Sequence, residues 1–224
     1  MKPLIIAHRG DTVNYPENTI EAFESAFDKG ADGIELDVHL DENGNTIVVH
    51  DYLFDKTKKY PFLKEVLEKF GQKGRLEIEI KSLDIKCITK VGKLIKEYKP
   101  KDIEVTSGVL PLIPYIKKEF PNEKVGLIFQ EKIIEDWMPK EFIEQLVLAY
   151  MKLTRANVLH FPFEHYTKNI VNLMHKNGYI THVYIKNWGI DKYNEVVKLG
   201  IDQVVTDDIN LIKLIYFQSR LYCN

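Results

Sequence analysis

Two short alternating runs hold most of the residues in this chain that could do chemistry. Glu35 and Asp37 stand two apart within Gly33 to Leu40, and Glu77, Glu79 and Lys81 alternate with Ile78 and Ile80 within Leu76 to Lys81. Successive side chains of a strand point to opposite faces, so each run sets its charges on one face and its isoleucines on the other. Burying a carboxylate on such a face costs about several kcal/mol unless it is paired or bound to a cation. Glu35, Asp37 and Glu79, from two neighbouring strands, therefore make a hard-oxygen site suited to one divalent cation, Mg2+, Ca2+ or Mn2+. A salt-bridge network of the same carboxylates with Lys81, holding no ligand, is the alternative on spacing alone. Glu77 shares the face of Glu79 but lies deeper, which favours a structural pairing over a fourth ligand. His8-Arg9-Gly10 closes an earlier apolar run, and His50 closes a short one after the acidic pair.

These side chains need elements to carry them. Runs rich in β-branched residues occur at Leu4 to Ala7, Gly33 to Leu40, Leu76 to Lys81, Ile103 to Ser107, Lys124 to Phe129, Asn157 to Phe161, Tyr179 to Lys186 and Gln203 to Thr206. Helix-like segments follow each in turn: Thr19 to Lys29, Phe62 to Phe70, Asp84 to Tyr98, Leu110 to Phe120, Pro139 to Leu153, Thr167 to Lys176, Lys192 to Leu199 and Asp208 to Phe217. Strand-helix alternation implies a parallel sheet covered by helices, and eight such units close a TIM (β/α)8 barrel. No linker interrupts the pattern, so residues 1–224 read as one domain. Asn43-Gly44 ahead of Thr46 to His50 predicts a small β-hairpin after the second strand. An open doubly wound sheet is the runner-up, but no Gly-rich phosphate loop follows the first strand. In a barrel of this kind the active site lies at the C-terminal strand ends, where His8 and the acidic pairs fall.

Composition excludes several classes. The 224 residues carry 31 Lys and Arg against 33 Asp and Glu, a formal net charge of −2, which argues against a nucleic-acid binder. Apolar residues at 45% and charged ones at 29% fit a globular chain and not a disordered one. The two cysteines, Cys87 and Cys223, are too few for a disulfide framework and suggest a reducing, cytoplasmic setting. The apolar start of the chain is too short for a signal peptide or a transmembrane segment. The apolar tail beyond Leu211 reads as a packing helix rather than a membrane anchor. Oligomeric state leaves no signature in the sequence.

Five linked motifs, His8-Arg9-Gly10, Pro16-Glu17-Asn18-Thr19, Glu35-Leu36-Asp37, His50-Asp51 and Glu79-Ile80-Lys81, resemble the glycerophosphodiester phosphodiesterase family in order and in placement. Weaker matches continue at Val125-Gly126-Leu127 and Thr206-Asp207. The resemblance implies that Glu35, Asp37 and Glu79 hold the metal, that His8 and His50 are the acid/base pair, and that Arg9 and Lys81 hold the phosphate of a small-molecule substrate. It implies hydrolysis to glycerol 3-phosphate and an alcohol. The roles suit the reaction: a phosphodiester monoanion needs its charge neutralised, a nucleophile deprotonated and a leaving alkoxide protonated.

The match also departs from the family. Only Tyr52 to Pro61 separates the His50 hairpin from the second helix, where the family commonly inserts a helical cap. Tyr184-Ile185-Lys186-Asn187 stands where the family carries a run beginning with Trp, so Tyr184 is a candidate stacking wall and Lys186 a candidate pocket cation, or a lysine reaching solvent. Gly108 after Ser107 predicts a roomier pocket. Asn18 reads as the N-cap of the first helix, orienting the His8 loop. His39 reads as core, His160 and His182 as pocket or core, Trp137 and Trp188 as rim contacts, and Asp51 stays unassigned. The missing cap and apolar tail favour, as a second reading, a lysophospholipase D type of enzyme. A catalytically silent binder of phosphorylated polyols is the third.

Overall fold

Strand-spaced and helix-spaced runs alternate along the chain, and the structure, a computed structural model that describes residues 2–186 and 189–210, folds them in that order. Eight parallel strands close a barrel: β1 (Leu4–His8), β2 (Gly33–Leu40), β4 (Arg75–Ile80), β5 (Asp102–Ser107), β6 (Lys124–Ile128), β7 (Val158–His160), β8 (Ile180–Ile185) and β9 (Gln203–Thr206). Each pairs with the next, and β1 pairs with both β2 and β9, which seals the ring. This is the TIM barrel the alternation predicted. The hairpin is also present: β3 (Thr46–Val48) runs antiparallel to β2, with Gly44 at φ +74° in a turn that Asp41 fastens by accepting from the Asn45 backbone N–H.

Helices α1 (Ile20–Asp28), α2 (Leu63–Phe70), α3 (Ile85–Tyr98), α4 (Ile113–Glu119), α5 (Lys140–Thr154), α6 (Lys168–Lys176) and α7 (Ile190–Leu199) jacket the sheet. The caps fix their starts. Thr19, Asp84 and Thr167 side chains accept from backbone N–H groups of α1, α3 and α6. The cap of α1 is therefore Thr19 and not Asn18, because Asn18 sits at φ +58° and spends its amide elsewhere. The segment expected as one helix over Leu110 to Phe120 starts instead as a 3-10 turn, Leu110–Leu112, before α4. Pro111 and Pro114 lack the N–H that a continuous α ladder needs there. The eighth helix and the apolar tail from position 211 on, Asn187, Trp188 and Cys223 lie outside the described residues.

The outward faces of the strands make the hydrophobic core against the helices: Ile34, Leu36, Val38, Leu76, Ile78 and Ile80 are all fully buried there. Cys87 of α3 lies in the same layer, its thiol pushed up to about 12 by burial. The inward faces carry charged residues, and their register stacks these in two levels. Asp37 pairs with Glu79 at the upper level, and Glu35 with Glu77 and Glu77 with Glu104 below. Among the described residues, no helix is long and apolar enough to cross a membrane.

Candidate active site

His8 ends β1, and its ring is held from two sides. Nδ1 lies 2.6 Å from Asp207 Oδ1, just beyond the end of β9, and the Tyr184 ring of β8 packs against the imidazole at 4.9 Å. Burial works against the charge of Asp207, but hydrogen bonds from His8 and Tyr184 outweigh it and hold the carboxyl below its ordinary value. An ionised carboxylate can only accept, so Nδ1 of His8 carries the proton and Nε2 is left as an acceptor. That Nε2 faces the acidic cluster, 3.8 Å from Glu35 Oε2. Tyr184 donates from its hydroxyl to Asp207 at 2.7 Å. Burial, with the Asp207 carboxylate, pushes the phenol upward, so the donor keeps its proton. Asp207 is the residue that sequence reasoning left without a role. The available signal was a carboxylate directly after the last barrel strand.

Glu35, Asp37 and Glu79 converge as expected, each able to place one oxygen within 4.8 Å of the others. Burial first, then the neighbouring Asp37 and Glu79, raise the Glu35 carboxyl well above its ordinary value. Two cations brace the group. Lys81 Nζ lies 2.9 Å from Glu79 and 3.5 Å from Asp37, and Arg9 Nε lies 3.2 Å from Asp37. Burial alone would lower the Lys81 ammonium, but Glu79 and then Asp37 raise it. Arg9 is tied outward by Glu17 at 2.8 Å, which gives the Pro16-Glu17-Asn18-Thr19 motif a direct part in the site. Asn18 donates to Asp37 Oδ2 at 2.9 Å and accepts from the Asp37 backbone N–H, so it fixes a carboxylate rather than a helix end.

The backbone at this point is strained. Of the four non-glycine residues with positive φ among the described residues, Lys99 and Arg155 are left-handed caps of α3 and α5, but Arg9 and Asn18 belong to the site. Their peptides lock together through the Asn18 N–H to the Arg9 carbonyl, and the Arg9 N–H donates to Glu35 at 3.1 Å. Gly10, at φ +87°, touches α1 so closely that a Cβ would lie 2.7 Å from Ala22. The His-Arg-Gly run is thus a rigid corner.

Backbone pairing brings His50 to the same rim, since Val49 donates to the Asp37 carbonyl. His50 Nδ1 lies 3.0 Å from Asp51, whose side chain is 76% exposed, and His39 reaches the His50 carbonyl with Nε2 at 3.4 Å while packing against Tyr52. The mouth opens on a cavity of about 590 Å3 whose lining includes His8, Arg9, Glu35, Glu79, Tyr184 and Lys186. Lys186 is exposed there, and Trp137 is exposed beyond β6. Beside Gly108 the amide of Gln130, from the loop after β6, comes close: a Cβ at 108 would meet Gln130 Nε2 at 2.7 Å.

Below this site Glu77 faces two imidazoles. His160 and His182 stack at 3.9 Å and present Nδ1 atoms 3.6 and 3.5 Å from the two Glu77 oxygens. His160 Nε2 lies 2.7 Å from Glu104, which also takes Arg75 at 2.9 Å and Gln203 at 3.1 Å. Burial, then Glu104 and Glu35, raise Glu77 well above the ordinary glutamate value, while burial opposes and His160 and Arg75 lower Glu104.

Comparison with known proteins matches this arrangement to one family. The model of the glycerophosphoryl diester phosphodiesterase family matches residues 8–61, the stretch from His8 to the hairpin. A glycerophosphodiester phosphodiesterase of Caldanaerobacter subterraneus is 33% identical over 95% of this chain and 99% of its own length. A crystal structure of a glycerophosphodiester phosphodiesterase from Thermotoga maritima superposes with a TM-score of 0.75 at 26% identity, covering 96% of this chain and 99% of that one. An Oleispira antarctica phosphodiesterase, solved with the product sn-glycerol-3-phosphate, shares the fold at a TM-score of 0.77 and 20% identity, covering 95% and 96%. The chain belongs to the glycerophosphodiester phosphodiesterase family of phosphodiester hydrolases.

Proposed function

We propose that the chain, as one barrel domain over residues 1–224, hydrolyses glycerophosphodiesters to glycerol 3-phosphate and an alcohol with one divalent cation, His8 and His50 acting as the acid/base pair. The observation that carries the reading is the His8 imidazole, fixed by Asp207 at 2.6 Å with its acceptor nitrogen turned toward the carboxylates. The donor set suits Mg2+, Ca2+ or Mn2+: three carboxylates and no sulfur, with Asp37 Oδ1 buried and lacking a hydrogen-bond partner. Charge points the same way. Three carboxylates, two of them buried, against Arg9 and Lys81 leave one negative charge uncompensated, a divalent ion would turn that to one positive, and a phosphodiester monoanion would cancel it. Bound there, the cation would polarise the phosphoryl group.

The remaining work falls to the side chains. Arg9 and Lys81 hold the non-bridging oxygens without reorganising, Arg9 because the strained corner and Glu17 fix its direction beforehand and Lys81 because Asp37 and Glu79 pin it. His8 takes the proton of the nucleophile at Nε2, because Asp207 keeps Nδ1 protonated and stabilises the imidazolium that forms. His50 gives its proton to the leaving alkoxide, with Asp51 orienting the ring. Tyr184 closes one side of the glycerol site and Lys186 adds positive charge at the mouth.

The test is glycerol 3-phosphate release from glycerophosphocholine and glycerophosphoethanolamine after EDTA stripping and readdition of Mg2+, Ca2+ or Mn2+. Release restored by metal is expected; no release with any metal would overturn the reading and favour the binding protein. A second substrate class has its own support. Val13, Tyr52 and Leu53, on the loops after β1 and β3, are 56%, 56% and 96% exposed and would suit an acyl chain. Faster turnover of lysophosphatidylcholine than of glycerophosphocholine would make the enzyme a lysophospholipase D.

A further inference from the structure

The lower level of the barrel interior holds a second convergence of ligand-type atoms, of different chemistry from the first. Glu77, Glu104, His160 and His182 each can place one donor atom within 4.8 Å of the others, and all four are buried. Their hydrogen bonding is incomplete. Glu77 Oε2 and both ring nitrogens of His182 have no hydrogen-bond partner, although Glu77 is 2% and His182 0% exposed. Buried polar atoms normally find partners, so three orphans at one point call for something that completes them. A protonated His160 between Glu77 and Glu104 would balance charge but would leave Glu77 Oε2 facing His182 Nδ1 across 3.5 Å.

We infer that Glu77, His160 and His182 form a second metal site, for a divalent transition metal of the zinc class, with Glu104 as the partner that fixes His160. The separations suit it. The two imidazole Nδ1 atoms lie 3.6 and 3.5 Å from the Glu77 oxygens, close to the spacing of about 3.3 Å that a tetrahedral ion with bonds of about 2.0 to 2.1 Å sets between neighbouring ligand atoms. Binding requires the two rings, stacked at 3.9 Å, to splay so that both in-plane lone pairs meet the ion. The supporting shell is already built. His160 Nε2 lies 2.7 Å from Glu104 Oε1, which makes Nε2 the donor and frees Nδ1 to ligate, the carboxylate-histidine-metal arrangement. Arg75 and Gln203 in turn hold Glu104 from its other oxygen. Room is made by Gly126 of β6, where a Cβ would come within 2.5 Å of His160 Nε2. Access exists as well, because the cavity that opens at His8 and Glu79 reaches down to Glu77 and His160. Two imidazoles select zinc-class ions, whereas the all-carboxylate upper site suits hard cations, so the two levels sort metals by ligand type.

The experiment reads Co2+ and Zn2+ binding to the full chain after EDTA stripping, by metal analysis following gel filtration and by visible absorption of the Co2+ form. With the upper site saturated with Mg2+, one equivalent of Co2+ with a strong visible spectrum characteristic of low-coordinate nitrogen ligation is expected. The triple variant Glu35→Gln, Asp37→Asn, Glu79→Gln should retain that equivalent and spectrum, while His160→Gln and His182→Gln should each weaken it at least tenfold. Co2+ binding that disappears in the triple variant, or that survives both histidine variants unchanged, would overturn the site. Should the histidine variants fail to fold, wild-type imidazole 15N shifts on Zn2+ addition decide: movement of the His160 and His182 signals supports the site, and its absence refutes it.

Discussion

The two charged levels inside the barrel solve one problem in opposite ways. The upper site gathers Asp37 and Glu79 with Glu35 from the level below, and brings its cations, Arg9 and Lys81, in from loop and strand ends, where Arg9 lines the cavity. The lower level gathers Glu77 and Glu104 around Arg75, a cation 4% exposed that also reaches Asp102 at 2.7 Å. Charges at the mouth are braced by cations that a ligand can meet, whereas beneath them Glu104 is held by a buried internal cation while Glu77 Oε2 and His182 are left without hydrogen-bond partners. The lesson is that a carboxylate row on a barrel strand is not one site: its chemistry changes within one pleat, between Glu79 and Glu77.

The largest effect that separates the levels should come from Arg75→Met. Removing one partner of a buried ion pair strands the other charge and costs about 3–5 kcal/mol. A urea unfolding midpoint close to wild type would show that the lower level does not depend on its internal cation. Next in size is His8→Ala, expected to lower turnover by at least about 10²-fold, with His50→Ala of similar size, while both folds persist. Steady-state rates near wild type in either variant would remove that histidine from the reaction. Glu79→Gln should weaken Mg2+ or Mn2+ affinity by at least about tenfold, since one of three anionic ligands is gone; calorimetric titration reads it directly.

Smaller effects sharpen the contrast between buried and exposed support. Asp207→Asn should reduce kcat by about tenfold or more, because a carboxamide no longer enforces the His8 tautomer. Asp51→Asn should cost under about threefold, since Asp51 is mostly in water. Equal effects would mean that exposure does not grade these partners. Least in size is a pH dependence of the metal-free protein. Glu35 and Glu77 are raised above the ordinary glutamate value of 4.5 and so hold more protons folded than unfolded. Their contribution to stability should therefore fall as pH rises past 4.5, set against a gain from the buried His182, held well below its ordinary 6.5, and added divalent metal should reverse the carboxylate slope. Thermal melts across that range, with and without Mg2+, check the sign.

Much of this was legible in the chain because strand periodicity fixes faces. Glu35 with Asp37, and Glu77 with Glu79, had to share a side, and Ile78 and Ile80 had to take the other. What periodicity lacks is contact between distant elements. Asp207 reaches His8 across 199 positions, a pairing set by where β9 closes against β1. His160 and His182 meet Glu77 across the bore, which depends on the register of strands that never pair. Asn18 misled for a related reason: its type suits a cap, but its amide answers to Asp37 rather than to its own helix.

Gly126 carries a last consequence. Its missing side chain is the space that the His160 ring fills, so neither position can drift alone. A lineage that acquired alanine at 126 would have to surrender the imidazole in the same step, and one that lost the histidine would leave a void beside Thr106. The two positions should therefore vary together among descendants of this fold, a correlated pair on adjacent strands that marks which relatives keep the lower level and which have replaced it with hydrocarbon.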